Sequence, residues 1–343
     1  MSVWSAGAEP ELAQGLAALI EDAGHRNVSV TVEETLTAGA NRETLKISLV
    51  TDGVDELASA IAQIATKGDE ETTFVDATTE AEVIRQAGRV GVPVAEVLAA
   101  GWSAQLEADV LISRRVDGQT IPRRVLRALN ADAGDGDRLT RLCGEALARL
   151  HAVACPADQP PYGSLPSYTA GSYLDHLTDR LEQLAEPHPV FRFAIGLLQR
   201  TLRPDPDVPS IVHGDFRLGN LIIAEANLQA VVDWEICHLG DPMEDLAWLC
   251  LRTWRFGNDE LPVGGFGTLA RLREAYVGAG GVWTEESFKW WTIARTIWWG
   301  IGLAHQAAAY LDGRSTSLVH AASGRRVVEL EYDLLWLLDP LVR

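Results

Sequence analysis

From about residue 28 to 115 the pattern of apolar and polar positions is mostly that of strands. The segments VSVTVEETL, TLKISLVTD, ASAIAQIAT and ADVLISRRV are β-branched or alternating and bounded by turn residues, which predicts strands. One helix interrupts them, DATTEAEVIRQAGRVG, with Asp76 or Thr78 as cap, Val83, Ile84 and Ala87 on its apolar face, and Gly91 and Pro93 as stops. After RRVDGQTIP the period lengthens. In DRLTRLCGEALARLHAV, Leu139, Leu142, Ala146 and Leu150 recur at helical spacing. The pattern predicts an α+β chain: a small sheet-rich domain over residues 1–115 and a larger, mainly helical one over residues 116–343.

Within the helical half, NLIIAEANLQAVVDWE breaks the pattern and predicts a hairpin. It runs out along Leu221 to Ile223, turns near Glu225 to Asn227 and returns along Ala230 to Val232. A hairpin brings its ends together, so Asn220 and Asp233 are expected as neighbours, with Asp215 in the loop just upstream. One carboxylate that can take a proton, with an amide oxygen and a second carboxylate as hard ligands, is what magnesium-assisted phosphoryl transfer from a nucleotide requires. The plainer alternative is a loop whose polar groups satisfy backbone amides.

Composition narrows the class. A chain of 343 residues with 47% hydrophobic content can bury two cores. A formal charge of −19 argues against binding a nucleic-acid backbone. The longest apolar segment, TIWWGIGLA, is too short to span a bilayer, and no signal peptide is read at the N-terminus, so a cytoplasmic location with no membrane partner is expected. Cys143, Cys155, Cys237 and Cys250 lack metal-type spacing and are expected as reduced core residues.

HGDFRLGN, followed by VVDWE and GDPMEDLAW, resembles the catalytic core of the aminoglycoside phosphotransferase and choline kinase family, whose fold is protein-kinase-like and bilobal. LTAGANRET resembles its nucleotide loop, and LARLHAV one of its C-lobe helices. The resemblance, nearest to the phosphotransferase domains related to those fused to acyl-CoA dehydrogenases, runs from about residue 28 onward. It implies an N-lobe of antiparallel sheet with one helix, a mainly helical C-lobe, ATP or GTP with Mg2+ as cofactors, and a small hydroxylated molecule as acceptor. By position it makes Asp215 the catalytic base, and Asn220 and Asp233 the metal ligands. It places Arg217 where a cation can neutralise developing phosphate charge, although a solvent-facing arginine stays open. Asp245 resembles the acid that buttresses the catalytic loop, whereas Asp241, Pro242 and Glu244 read as a helix start.

In the N-lobe the resemblance implies Gly39 in the phosphate loop and Glu80 as the helix glutamate that pairs with a basic residue on the third strand. Here Gln63 falls near that basic position. The chain has three lysines, Lys46, Lys67 and Lys289, and Lys67 shares a strand face with Gln63. Lys67 beside Glu80 is therefore the expected substitute, and without it the chain reads as a nucleotide-binding pseudokinase. In FKWWTIARTIWWGIGLAHQ one stripe (Trp290, Ile293, Ile297, Ile301) is expected in the core. A second, with Trp291, Arg295 and Trp298, either lines an acceptor pocket or is buried too. Arg252, Arg255 and Arg295 point to an anionic acceptor such as a hydroxyacyl-CoA ester rather than a polycation.

Overall fold

Alternation along residues 44–50 turns Leu45, Ile47 and Leu49 to one side, and this side carries the core of the first part of the chain. In the computed structural model, which describes residues 9–36, 42–51, 54–66, 74–130, 134–156, 159–201 and 205–342, two compact units are resolved. The first comprises residues 1–119, 156–166 and 220–237, and the second residues 120–155, 167–219 and 238–343.

The first unit is built on β1 (Ser29–Leu36), β2 (Glu43–Thr51), β3 (Val54–Thr66), β4 (Val97–Ser103) and β5 (Ala108–Arg114). They form an antiparallel sheet in the order β1-β2-β3-β5-β4. Leu45, Ile47, Ala60, Ala62, Ile64, Val110 and Ile112 make one buried face. It is covered by α1 (Glu9–Asp22), whose Leu12, Leu16 and Ile20 recur every four residues. A single helix was expected in this region, and α1 is a second one. Its apolar stripe precedes the strand pattern, but the sheet would otherwise present its larger apolar face to water.

The expected helix is α2 (Ala77–Arg89). The Thr79 amide donates to Asp76 Oδ1 at 2.9 Å, so Asp76 rather than Thr78 is the cap. The predicted hairpin is β7 (Leu221–Ala224) with β8 (Asn227–Val231). It belongs to the first unit although its sequence neighbours are in the second. Val231 bridges to Val94 and Ile223 to Gln119. A Cβ at Gly118 would lie 2.5 Å from the Ile222 side chain, which accounts for a glycine there.

The second unit holds α3 (Pro122–Leu129), α4 (Asp135–His151), α5 (Ala170–Glu182), α6 (Pro189–Arg200) and the short antiparallel pair β6 (Ser210–Val212) and β9 (His238–Gly240). It continues with α7 (Met243–Cys250), α8 (Leu269–Gly278), α9 (Glu285–Leu311) and α10 (Leu318–Val342). Both stripes of α9 are largely buried: Trp290, Trp291, Ile293, Arg295, Ile297 and Ile301 are inside, with Trp298 half-buried. The four cysteines are free thiols. Among the described residues no helix is long and apolar enough to cross a membrane.

Candidate active site

The first unit carries the hairpin end. Leu221 pairs with Val231, and the next residue outward is tied as well, the Val232 amide donating to the Asn220 carbonyl at 3.0 Å. Asn220 is buried. Asp233 follows directly with φ of 70°, a left-handed conformation uncommon for a non-glycine residue.

Glu80, on α2, is 1% exposed and its cationic partner is Arg42, at the start of β2. Arg42 Nη1 donates to Glu80 Oε2 at 2.5 Å, Nη2 to the Val75 carbonyl at 3.4 Å, and Nε lies 3.3 Å from Glu235 Oε2. Burial works to lower the affinity of Arg42 for its proton, but Glu80, Glu235 and Asp233 outweigh it and hold the guanidinium above its ordinary value. Burial pushes the Glu80 carboxyl up, partly countered by Arg42.

Among the described residues the partner of Glu80 is thus Arg42, while Lys67, expected beside Glu80, and Gly39 lie outside the described residues. Gln63 is half-buried in β3, opposite Thr44 and Leu111, and turned away from the face that carries Ala62 and Ile64. Arg42 escaped the sequence reading because the search for a base ran along the third strand. The signal was the arginine that ends LTAGANR, adjoining the nucleotide loop.

Among the described residues Glu80, Glu235 and Asp233 all act on the one guanidinium of Arg42. An amide and a carboxylate at the hairpin end are hard oxygen donors. Among the described residues no cluster of three or more His, Cys, Asp or Glu is placed to hold a metal. Asn220 and Asp233 fit magnesium, which keeps most of its ligands as phosphate oxygens and waters.

The second unit carries the loop after β6. The amides of His213 and Gly214 donate to Asp245 Oδ2 and Oδ1 at 2.8 and 2.9 Å. Asp245 is fully buried on α7; burial alone would raise its carboxyl, yet His151 (Nε2 at 3.3 Å) and the loop donors hold it below the usual range. Gly214 has φ of 81°, which favours a residue without Cβ at this bend. The Asp215 amide donates to His213 Nδ1 at 3.1 Å, so His213 braces the loop from inside.

Two side-chain donors make three contacts to the Asp215 carboxylate. Arg217 Nε reaches Oδ1 at 2.9 Å and Oδ2 at 3.1 Å, and Trp248 Nε1 donates to Oδ1 at 2.8 Å. The Arg217 guanidinium also lies 4.8 Å from the Trp254 ring centroid. Arg217 thus folds back onto the carboxylate and an indole rather than standing in solvent.

The expected acceptor arginines separate. Arg295 is 2% exposed and lines no cavity described here: Nη1 donates to Glu244 Oε1 at 2.8 Å and to Tyr173 Oη at 3.0 Å, and Nη2 to the Gly214 carbonyl at 2.5 Å. The rings of Trp248 and Trp298, roughly perpendicular to each other at 81°, lie 4.2 and 4.3 Å from its guanidinium carbon. Glu244 is accordingly a buried ion-pair partner, shared with His238 Nε2 at 3.1 Å, and not the capping acid its spacing predicts; Asp241 does cap, accepting from the Met243 amide at 2.9 Å.

Arg252 and Arg255 line a cavity of about 350 Å³. A second, of about 770 Å³, adjoins Arg123, Arg252, Arg326, Asp259, Glu329 and Asp333. Arg252 is paired with Asp333 at 2.9 Å and Asp259 at 3.2 Å, and Arg255 donates to the Cys250 carbonyl at 3.0 Å. These cations are largely spent within the protein, and the larger cavity has as many acids as bases.

The antiparallel sheet unit and the mainly helical unit make up an α+β, kinase-like fold. The chain belongs to the phosphotransferase enzyme family (APH), which it matches over residues 39–291. A crystal structure from Ralstonia eutropha, assigned provisionally to the aminoglycoside phosphotransferases, superposes with a TM-score of 0.67 at 21% identity, covering 94% of this chain and 97% of that one. Spectinomycin phosphotransferase APH(9)-Ia, solved with ADP and spectinomycin, gives 0.63 at 12% identity, covering 94% and 98%. In sequence, acyl-CoA dehydrogenase family member 10 of Mus musculus is 41% identical over 116 residues, or 31% of this chain and 10% of that protein. Family member 11 of Homo sapiens is 38% identical over 110 residues, or 31% and 14%. The matched segments are thus small parts of much longer relatives.

Proposed function

We propose that the protein transfers the γ-phosphoryl group of ATP to a hydroxyl of a small molecule, with magnesium held by Asn220 and Asp233. The observation that carries this reading is the hairpin register that brings those two residues together beside Arg42, Glu80 and Glu235. Bound magnesium would neutralise phosphate charge during transfer. Arg42, steadied by Glu80, grips the nucleotide phosphates in place of a third-strand base, which supports an active kinase over a pseudokinase. Asp215 orients the acceptor hydroxyl and takes its proton as the new oxygen–phosphorus bond forms and the bond to the β-phosphate oxygen breaks, ADP leaving with that electron pair. Arg217 exchanges its contact with Asp215 for the transferring phosphoryl group, where its charge counts most.

Hydroxyacyl-CoA esters are the acceptor class favoured by the acyl-CoA dehydrogenase relatives. The arginine argument for them has weakened, because Arg252, Arg255 and Arg295 are already engaged. Magnesium-dependent ADP release, screened against hydroxyacyl-CoA esters, free hydroxy acids and kanamycin-like aminoglycosides, tests both levels. No ADP release with any of them, together with no magnesium-dependent binding of ATP, would defeat the kinase reading. Turnover of aminoglycosides alone would overturn the acceptor class.

A further inference from the structure

Beneath Asp215 lies an arrangement that the proposed chemistry has not used. Arg295 is held by Glu244 and Tyr173, and its remaining nitrogen contact is to the carbonyl of Gly214, the residue before Asp215. Its guanidinium lies against the rings of both Trp248 and Trp298, which meet edge to face beside it. Trp248 then turns its indole N–H onto Asp215 Oδ1. One cation therefore touches the catalytic loop twice, through the peptide that orients Asp215 and through the ring that binds its carboxylate.

We infer that Arg295 and Trp248 form the positioning device of Asp215, fixing which carboxylate oxygen takes the acceptor proton. A carboxylate oxygen offers two lone-pair directions. Oδ1 receives Trp248 Nε1 and Arg217 Nε, and Arg217 Nε also reaches Oδ2 at 3.1 Å, so once Arg217 departs Oδ1 keeps the indole as its anchor and proton transfer falls to Oδ2. Arg217 is expected to leave for the phosphoryl group, and the neutral indole donor stays behind. The carboxylate keeps its orientation through the step without a permanent cation competing for the proton. The three contacts explain why an arginine is needed under the loop: a lysine ammonium lacks the planar fork that reaches Gly214, Glu244 and Tyr173 together.

The inference rests on Asp215 as base, and the test separates the two. The readouts are ADP formation from magnesium-ATP with water as acceptor, and the indole N–H resonances of the eleven tryptophans in the full chain labelled with 15N. Trp248→Phe keeps the ring on Arg295 but deletes the donor. It is expected to lower turnover at least tenfold, leave KM for ATP within twofold, and move the acid limb of the pH–rate profile upward, since a carboxylate that loses a donor binds its proton more tightly. Arg295→Lys is expected to shift the Trp248 resonance toward the position it takes in Asp215→Asn. If Trp248→Phe does not fold, the contact is read in the native chain as the one indole resonance displaced by Asp215→Asn. A Trp248→Phe enzyme with turnover within twofold and an unmoved acid limb, or a native spectrum in which Asp215→Asn displaces no indole resonance, overturns the inference. Asp215→Asn with undiminished turnover defeats the underlying assignment of the base instead.

Discussion

Two buried arginines, one in each unit, stand in opposite environments. Arg295 has one carboxylate, a phenol, a carbonyl and two indole faces. Its charge is closed, and every contact serves to hold neighbouring backbone and rings. Arg42 faces Glu80 and Glu235 directly and feels Asp233 as well, so among the described residues carboxylates outnumber the cation around it. A balanced buried cation is a structural part, whereas an unbalanced one is an incomplete site that a divalent ion and phosphates would complete.

The comparison breaks most sharply on removal of one acid from each pocket. Glu244→Ala strands Arg295 in the interior and is expected to cost about 3–5 kcal/mol of stability. Glu235→Ala leaves Arg42 with Glu80 and Asp233, and is expected to cost about 1 kcal/mol or less. Denaturant titration of both variants measures this, and equal losses would show that the Arg42 pocket is just as closed.

Acid probes the second unit next. The Asp245 carboxyl is held below its ordinary value in the folded state, so its contribution is complete above the unfolded value of about 3.9 and is lost as pH falls through it toward the depressed folded value. Asp245→Asn, which weakens the hold on the His213 and Gly214 amides, is expected to cost about 2 kcal/mol at neutral pH and to flatten the stability profile below pH 4. Stability profiles of variant and native chain that run parallel in that window would remove Asp245 from the account.

Function should answer to the other arginine. Arg42→Gln removes the charge while keeping an amide for Glu80, and is expected to weaken magnesium-ADP binding about tenfold, or about 1.4 kcal/mol. Calorimetry reads this directly, and unchanged affinity would make Arg42 as structural as Arg295.

What was legible in the chain follows the range of the interactions. The alternation in β2 and β5, the Asp76 cap and the hairpin at Leu221–Val231 are local, and pattern reading reached them. The family core was legible because HGDFRLGN and VVDWE concentrate polar residues at fixed spacing. Arg42 was missed and the role of Arg295 left open because their partners are remote, Glu80 lying thirty-eight positions from Arg42 and Glu244 fifty-one from Arg295. Periodicity placed Arg295 on a tryptophan stripe, but only packing shows that the stripe closes over it. Helix α1 preceded the strands, and nothing in its own fourteen residues announces the sheet face it must cover.

The smallest expected effect concerns the turn that joins the hairpin on which the metal ligands hang. Glu225 and Ala226 have φ of 50° and 56°, both in the left-handed region. Two such residues between paired strands are the mark of a type I′ turn, which twists with the strands and prefers Asn-Gly. A residue with a Cβ pays roughly 1 kcal/mol for that conformation. Ala226→Gly relieves this, although glycine loses more freedom on folding, which returns part of the gain. Ala226 is largely buried, so its methyl contacts are also forfeited. Glu225→Asn keeps a side chain and supplies a residue that tolerates the left-handed region better, so it should capture more of the benefit than Ala226→Gly. The expected gain for Glu225→Asn is about 0.5 kcal/mol, visible as a small rise in Tm with magnesium-ADP affinity unchanged. A variant that gains stability but loses nucleotide affinity would show that the strain at this turn is coupled to Asn220 and Asp233. The hairpin would then be part of the site's tuning as well as its support.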